Sequence, residues 1–121
     1  MNFGGKSRNH AEQARFDAIK QGPCLACWKR GKPSHTPEVH HLLSGGIRRG
    51  HLFTIGLCCW HHRAFVAGDG SWHKAFRETY GPSLAEGSKK FHAEFGSDDE
   101  LLALQERIIP DPFQLPLTEV L

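Results

Sequence analysis

The first regular pattern along the chain is that of an amphipathic helix. In residues 9–20, Phe16 and Ile19 are three positions apart and therefore share one helical face. Asn9 can cap the start of this helix, and Gly22, followed by a proline, ends it. The N-terminal part of the chain is thus predicted to begin with one helix that packs through a narrow apolar face.

Two short apolar segments in the middle of the chain predict a β-hairpin that leads into a helix. Residues 38–42 and 53–57 look like strands, because each is short and bounded by polar or glycine-containing segments. The basic, glycine-rich residues 44–50 between them predict a flexible loop. Residues 59–66 suit a short helix, so a hairpin-and-helix unit is expected here.

The second half of the chain predicts several short helices. Ser71 can cap a helix that runs to Tyr80. Two Ser-x-x-Glu patterns, beginning at Ser83 and Ser97, are typical of capping boxes at helix starts. Gly87 interrupts the helix behind the first of these patterns, whereas a run of leucines and isoleucines follows the second.

One small α+β domain, mostly helical, is the expected fold. We assign residues 1–8 to a flexible arm, 9–109 to the domain and 110–121 to an extended, proline-containing tail. A domain of this size has a thin core, which a structural metal would help to stabilise. The mean hydropathy is −0.45, and no segment suits a membrane span or a secretory signal. We therefore expect a cytoplasmic monomer.

The charge is distributed unevenly along the chain. Residues 1–90 carry 14 Lys and Arg against 6 Asp and Glu, a net +8. Residues 91–121 carry one Arg against 7 Asp and Glu, a net −6. A basic body indicates a polyanionic partner such as DNA, although an uneven solvated surface would give the same numbers.

The cysteines predict a structural zinc site. Cys24 and Cys27 form a Cys-x-x-Cys turn, and Cys58 and His61 repeat the same spacing where a helix should begin. Zinc held by these four residues is our preferred hypothesis. Cys59 is the rival for a place, but adjacent residues rarely reach one tetrahedral ion together. Ordinary buried cysteines are an alternative, and so is a thioredoxin-like redox pair, although no βαβ pattern surrounds it.

Three further histidines predict a catalytic site for phosphodiester hydrolysis. His40 and His41 are neighbours on a predicted strand, and His62 follows the zinc ligand His61. We assign His41 as the general base that activates water, because a neutral imidazole is available near pH 7. His40 and His62 are assigned as ligands of a catalytic Mg²⁺ or Mn²⁺ ion. Isolated surface or core histidines are the alternative.

Three arginines near these histidines are candidate DNA contacts. Arg48 and Arg49 lie in the glycine-rich segment, and Arg63 lies on the predicted helix. Guanidinium groups at such positions can hold the phosphates of the strand that is cut. Arg48 and Arg49 taken alone would equally fit an ordinary solvated loop.

The order of these motifs resembles that of HNH (His-Me finger) endonucleases. The stretch from His40 to Leu42, followed by residues 54–63, is similar to their ββα-metal core. More narrowly, the phage recombination-enhancement (Ref-type) nucleases are resembled in residues 40–46, 81–85 with 87–89, and 91–92 leading into 96–102. This resemblance implies a DNA endonuclease that acts with the RecA filament and cuts where RecA has paired a single strand with a duplex.

Two departures from that family affect the interpretation. Those nucleases carry a long basic N-terminal extension, whereas the arm here is short, which favours reliance on a partner. Their core usually contains a middle Asn that orients the base, but the only asparagines here are Asn2 and Asn9. His51 or Thr54 are the candidates to replace it. The alternative function is therefore a zinc-stabilised module that binds DNA or RecA with little or no catalysis.

Overall fold

Six α-helices, a 3₁₀ turn and two β-ribbons make up the described part of the chain. The computed structural model describes residues 8–34, 36–66, 68 and 70–109, so the predicted tail and nearly all of the predicted arm lie outside the described residues. In chain order the elements are α1 (His10–Gln21), α2 (Leu25–Lys29), β1 (Glu38–His41), β2 (Leu43–Ser44), β3 (Ile47–Arg48), β4 (Thr54–Leu57), α3 (Cys59–Arg63), α4 (His73–Tyr80), the 3₁₀ turn (Leu84–Glu86), α5 (Ser88–Phe95) and α6 (Asp98–Ile108).

Helix α1 begins with a capping box. The Asn9 side chain accepts a hydrogen bond from the Glu12 N–H at 2.8 Å, and the Glu12 carboxylate accepts one from the Asn9 N–H at 2.9 Å. These bonds satisfy donors that a helix start otherwise leaves unpaired. Phe16 and Ile19 are buried, which confirms the apolar face that their spacing predicts.

Strands β1 and β4 form the central antiparallel pair. Their register places His40 opposite Ile55 and His41 opposite Thr54. All four residues of β4 are buried, because α1, α2 and α6 all pack against this strand. Gly56 permits this close approach, since a Cβ there would lie 3.0 Å from a methyl carbon of Ile19. The predicted pair of strands is confirmed.

A second ribbon replaces the flexible loop that the sequence predicts over residues 44–50. Strands β2 and β3 pair Leu43 with Arg48 and Ser44 with Ile47. Gly45 and Gly46 have φ values of 60° and 83°, as a two-residue hairpin turn of type I′ requires. The two glycines therefore form a defined turn, and the prediction of a flexible loop over these residues is wrong.

Helix α3 is shorter than predicted, and α4 begins later. Ala64 has a φ of 55°, a left-handed conformation in which the helix cannot continue, so α3 ends at Arg63 instead of residue 66. The N-cap of α4 is Trp72, which makes no side-chain capping bond, so the predicted cap at Ser71 is wrong.

The C-terminal helices close the core behind the central ribbon. Capping boxes at Ser83 and Ser97 open the 3₁₀ turn and α6, as predicted. The buried Gln105 accepts a hydrogen bond from the Gly56 N–H at 2.7 Å, which ties α6 to β4. The largest fully buried side chains of the described core include Trp60, Phe91, Phe95, Leu25, Leu42, Ile55, Leu57 and Leu101.

Candidate metal centre and active site

Three cysteines and a histidine converge between α2 and α3. Cys24 is the N-cap of α2 and Cys27 lies in its first turn, while Cys58 is the N-cap of α3 and His61 lies one turn later. One ligand atom from each residue lies within 4.8 Å of all the others, and all four residues are buried. The structure thus brings together the four residues that the sequence predicts.

The spacing of these atoms fits a tetrahedral metal ion. His61 Nδ1 lies 3.4 Å from the sulfurs of Cys24 and Cys58 and 3.6 Å from that of Cys27. The sulfurs of Cys27 and Cys58 are 3.9 Å apart. Zinc bonds of about 2.3 Å to sulfur and about 2.0 Å to nitrogen imply separations of about 3.5–3.8 Å at tetrahedral angles. The cluster can therefore bind a metal such as zinc.

A backbone carbonyl orients the His61 ring toward the sulfurs. The His61 Nε2–H donates a hydrogen bond to the Tyr80 carbonyl at 2.7 Å. A carbonyl only accepts, so Nε2 carries a hydrogen and Nδ1 points its ligand atom at the cluster. Burial alone would lower the pKa of His61, but hydrogen bonds with the Cys24 and Cys58 sulfurs raise it to about 9. The sulfurs thus favour a positive charge on the His61 ring.

The thiols of the cluster share their protons unequally. Hydrogen bonds from Cys24 and Cys27 hold the pKa of Cys58 well below its ordinary value. Hydrogen bonds with Cys24 and Cys58 raise the pKa of Cys27. One thiolate is therefore stabilised even without an ion, as expected where several sulfurs meet at a cation site.

Cys59 does not belong to this cluster. It follows Cys58 on α3, where adjacent side chains point in different directions, and it is only half-buried. Burial raises the pKa of its thiol. Geometry thus selects four ligands from five candidates, which are the four cysteines and His61.

His40 and His62 meet on one face of the central ribbon. Their ring centroids are 5.0 Å apart. Glu38, two positions before His40 on the same strand, lies on the same face, and its carboxylate accepts a hydrogen bond from His62 Nδ1 at 2.7 Å. This contact leaves His62 Nε2 available as a ligand atom.

His41 lies on the opposite face of β1 and contacts a fourth histidine. His41 Nε2 and His51 Nδ1 are 3.1 Å apart, within hydrogen-bonding distance. Both rings make T-shaped contacts with Phe16, with centroid distances of 5.6 Å in each case. Among the described residues, Nδ1 of His41 has no hydrogen-bond partner, so this nitrogen remains available.

The loop that carries His51 is fixed to the first residue of β4. The Thr54 hydroxyl donates a hydrogen bond to the His51 carbonyl at 3.0 Å. Arg15 donates to the same hydroxyl at 2.9 Å and to the Thr54 carbonyl at 2.6 Å, and its guanidinium also pairs with Glu106. Helices α1 and α6 therefore hold Thr54, and through it His51, in place.

The environment lowers the pKa of both strand histidines and so favours their neutral forms. Burial lowers the pKa of His40 to about 4, and the nearby His62 and His41 act in the same direction. Burial also lowers the pKa of His41, and the positive charge of Arg48 adds to this effect. A neutral imidazole can accept a proton or bind a metal ion, whereas an imidazolium can do neither.

The three candidate DNA-contacting arginines have different surroundings. Arg49 pairs with Asp99 at 2.8 Å, and Arg63 donates to Glu38 at 2.9 and 3.1 Å. The Arg63 guanidinium holds the pKa of the Glu38 carboxyl below its ordinary value. Arg48 has no ion pair with any residue that the structure describes.

The sequence prediction omitted Glu38 and Arg15 and left His51 as an alternative to Thr54. Glu38 could have been found, since residues two apart on a strand share a face and Glu38 precedes His40 by two. Two of the remaining described histidines have structural contacts: His73 Nε2–H donates to the Ala64 carbonyl at 3.0 Å, and His92 Nδ1–H donates to the Gly96 carbonyl at 2.8 Å. Arg15 gave no local signal, because its partners are far away in sequence.

Comparisons with known proteins add the family. None of the described helices is long and apolar enough to cross a membrane. A search of curated proteins found no match. Residues 9–109 match a family model described as recombination enhancement, RecA-dependent nuclease. Since this match spans most of the chain, the protein belongs to the family of RecA-dependent nucleases that act in recombination enhancement.

Proposed function

We propose that the protein is a metal-dependent DNA endonuclease of the HNH type that cuts DNA in concert with RecA. The observation that carries this proposal is the arrangement around β1 and α3. His41 offers a base on one face of β1, and His40 and His62 offer ligands for an ion on the other face. The family supports a nuclease, and these residues supply a chemistry for it.

Zinc at the cysteine cluster would serve the fold. The four ligand atoms fit a tetrahedral ion, and all four residues are buried away from substrate. The cluster joins α2 to α3, so an ion bound there would fix α3 against the central ribbon. His62 follows His61 directly, and its position therefore depends on this site.

His41 is the proposed general base. Its Nε2 faces His51 Nδ1, which leaves Nδ1 to take a proton from a water molecule. This assignment requires the Nε2–H of His41 to donate to His51 Nδ1, so His51 would select the useful tautomer. The role of His51 resembles that of the third group in hydrolytic triads, which orients the base.

His40 and His62 are the proposed ligands of the catalytic ion, Mg²⁺ or Mn²⁺. Both offer imidazole nitrogen, and Glu38 fixes the His62 ring by accepting from Nδ1. A bound divalent ion would act as a Lewis acid on the phosphate and the leaving oxygen. Because imidazole suits transition ions better than Mg²⁺, we expect Mn²⁺ to support more activity than Mg²⁺.

Arg48, Arg49 and Arg63 are the proposed phosphate contacts. Arg48 is available as it stands, whereas Arg49 and Arg63 would have to exchange Asp99 and Glu38 for phosphate oxygens. The protein would act as a monomer in the cytoplasm, on DNA that RecA has paired.

A nicking assay tests the proposal. Purified protein is incubated with supercoiled DNA and Mg²⁺ or Mn²⁺, with and without RecA filaments carrying a matching single strand. Wild type and the exposed-site control His10→Ala should nick the DNA, and His41→Ala should lose about 10²–10⁴-fold in rate while keeping its thermal unfolding curve. Equal cutting by His41→Ala would rule out the assigned base.

The competing function is a zinc-stabilised module that binds without cutting. The missing core Asn favours it, as do the carboxylates that already pair with Arg49 and Arg63. Intact DNA in every reaction, together with RecA-dependent retention of the protein on DNA, would support this function over the nuclease.

A further inference from the structure

Exposed apolar side chains are concentrated beside the proposed active site. Seven large apolar residues of the described chain are exposed, and four of them fall within residues 43–53: Leu43, Ile47, Leu52 and Phe53. Ile47 is the most exposed of the seven, at 73% of its surface. Such clustering on a small domain marks an interaction surface more often than chance exposure.

The β2–β3 hairpin carries the most exposed of these residues away from the core. Both of its strands are exposed along their length. Its base is fixed, because the Leu42 N–H donates to the Phe53 carbonyl and the Arg49 N–H donates to the Leu42 carbonyl, each at 2.9 Å, and Leu42 is fully buried. The hairpin is thus a defined projection, and Ile47 contributes little to the fold.

The hairpin begins two residues after the proposed base. At about 3.3 Å per residue, its turn lies on the order of 10 Å from His41. Successive phosphates of one DNA strand are about 3.4 Å apart along the helix axis. DNA with its reacting phosphate at His41 would therefore meet the hairpin within about three nucleotides of the cut.

We propose that this hairpin is a wedge that enters the DNA beside the cut and holds one base step unstacked with the Ile47 side chain. This inference rests on the proposed nuclease function and specifies its substrate: DNA whose strands are already parted or easily parted. Apolar side chains are the groups that proteins insert between bases. Gly45 and Gly46 lack side chains at the turn and have open space around them, so DNA can approach closely.

Charge favours DNA over a protein as the occupant of this hairpin. Arg48 follows Ile47 on β3 and therefore lies on the other face of the ribbon, opposite Leu43. It has no ion pair among the described residues, so it can contact a backbone phosphate while Ile47 faces the bases. A ribbon of two strands with two residues each offers too little surface for a stable protein interface on its own.

Fluorescence of 2-aminopurine tests the wedge without requiring cleavage. Duplexes and three-stranded RecA-paired DNA carry the analogue, one position at a time, at every position of the paired region and its two junctions. The protein carries His41→Ala to prevent cutting, with Mn²⁺ present. We expect a rise in fluorescence at one step, and adding Ile47→Ala should abolish it and weaken binding to parted DNA about tenfold.

Matched variants separate the wedge from other roles of the surface. Ile47→Val should restore the signal, and Trp72→Ala, at an exposed residue outside the hairpin, should leave it unchanged. No Ile47-dependent rise on either DNA overturns the wedge, even if wild type cuts. A second result also overturns the wedge. If Ile47→Ala leaves the fluorescence unchanged and, with His41 intact, loses only RecA-stimulated cutting, the hairpin contacts RecA instead of DNA bases. Absence of cutting by wild type would instead count against the nuclease.

Discussion

The two histidine-containing regions of this protein differ in how complete they are. In the cysteine cluster, four ligands surround one point, every residue is buried, and the His61 ring is fixed by a carbonyl. Around His40, His41 and His62, the side chains are half-buried and lie on two faces of a strand. Closed ligand sets are typical of structural metals, whereas catalytic ions keep open positions.

Neighbouring residues on α3 divide these two regions. His61 points into the cluster and is fully buried, while His62 points to His40 and Glu38. One turn of helix thus serves both sites, so that the geometry of the second depends on the first. This difference predicts which substitutions abolish folding and which abolish only activity.

The largest effect is expected from removing a cluster ligand. Cys58→Ser should fail to retain zinc and should lose its cooperative thermal unfolding, because structural zinc contributes about 10–16 kcal/mol, as much as a whole domain's stability. Cys59→Ser is the matched control, since its thiol lies outside the cluster. Elemental analysis and circular dichroism measure both properties.

The result that would contradict this prediction is equally specific. If Cys58→Ser unfolds at the wild-type temperature and retains one zinc per chain, the cluster is not the structural site. Loss of zinc from Cys59→Ser would show that the ligand set has been assigned to the wrong neighbour.

The next effect compares His61 with His62. His61→Ala should lose zinc and the fold together, whereas His62→Ala should retain zinc and its unfolding curve but cut DNA at least about a hundredfold more slowly. The readouts are zinc content, thermal unfolding and nicking rate on the same preparations. Loss of zinc from His62→Ala with His61→Ala intact would reverse the two roles.

Local sequence signals were sufficient for the cluster and for most of the elements. The Cys-x-x-Cys and Cys-x-x-His spacings predict a ligand set that the structure brings together, and the capping boxes at Ser83 and Ser97 lie where predicted. Each capping box and each ligand pair lies within one helical turn, so its spacing alone specifies it. The meeting of the two ligand pairs depends on the fold, because Cys27 and Cys58 are 31 residues apart.

The contacts that complete the second region depend on tertiary structure. Arg15 reaches Thr54 across 39 residues, and His51 meets His41 only because the β2–β3 hairpin between them reverses the chain. Glycines occur both in flexible loops and in tight turns, so the sequence predicts only a loop over residues 44–50. The pairing of Leu43 with Arg48 distinguishes a hairpin from such a loop. No pattern within a short stretch of sequence predicts these contacts.

A smaller effect is expected at His51. His51→Ala should slow cutting about 10–100-fold by releasing the His41 ring, a loss in kcat and not in KM. His51→Asn should restore much of the rate, because the Asn side-chain oxygen is bonded to Cγ, as Nδ1 is in His. His51→Gln places its polar atoms one bond further out and should not.

The pattern among the three His51 variants is the critical measurement. The 3.1 Å contact between His41 and His51 has no role in orienting the base if His51→Asn and His51→Gln recover the cutting rate equally, or if neither of them differs in rate from wild type. A change in KM alone would instead indicate that His51 contacts DNA.

The smallest predicted effect concerns the pH dependence of cutting and compares Arg48 with Arg49. The base acts as a neutral imidazole, so the rate should fall as pH drops through the pKa of His41. Burial, and then Arg48, lower that pKa, so the acid limb should lie below the ordinary value of about 6.5. Arg48→Gln removes one positive charge and should move the limb to higher pH.

Arg49→Gln is the control for that shift. Arg49 is paired with Asp99 and is not among the charges that lower the pKa of His41, so its loss should leave the acid limb where it is in wild type. Burial, the larger cause, persists in both variants, and the Arg48→Gln shift should therefore be modest. An acid limb that moves equally in both variants would mean that screening by bound DNA, and not the position of Arg48, sets the pKa of the base.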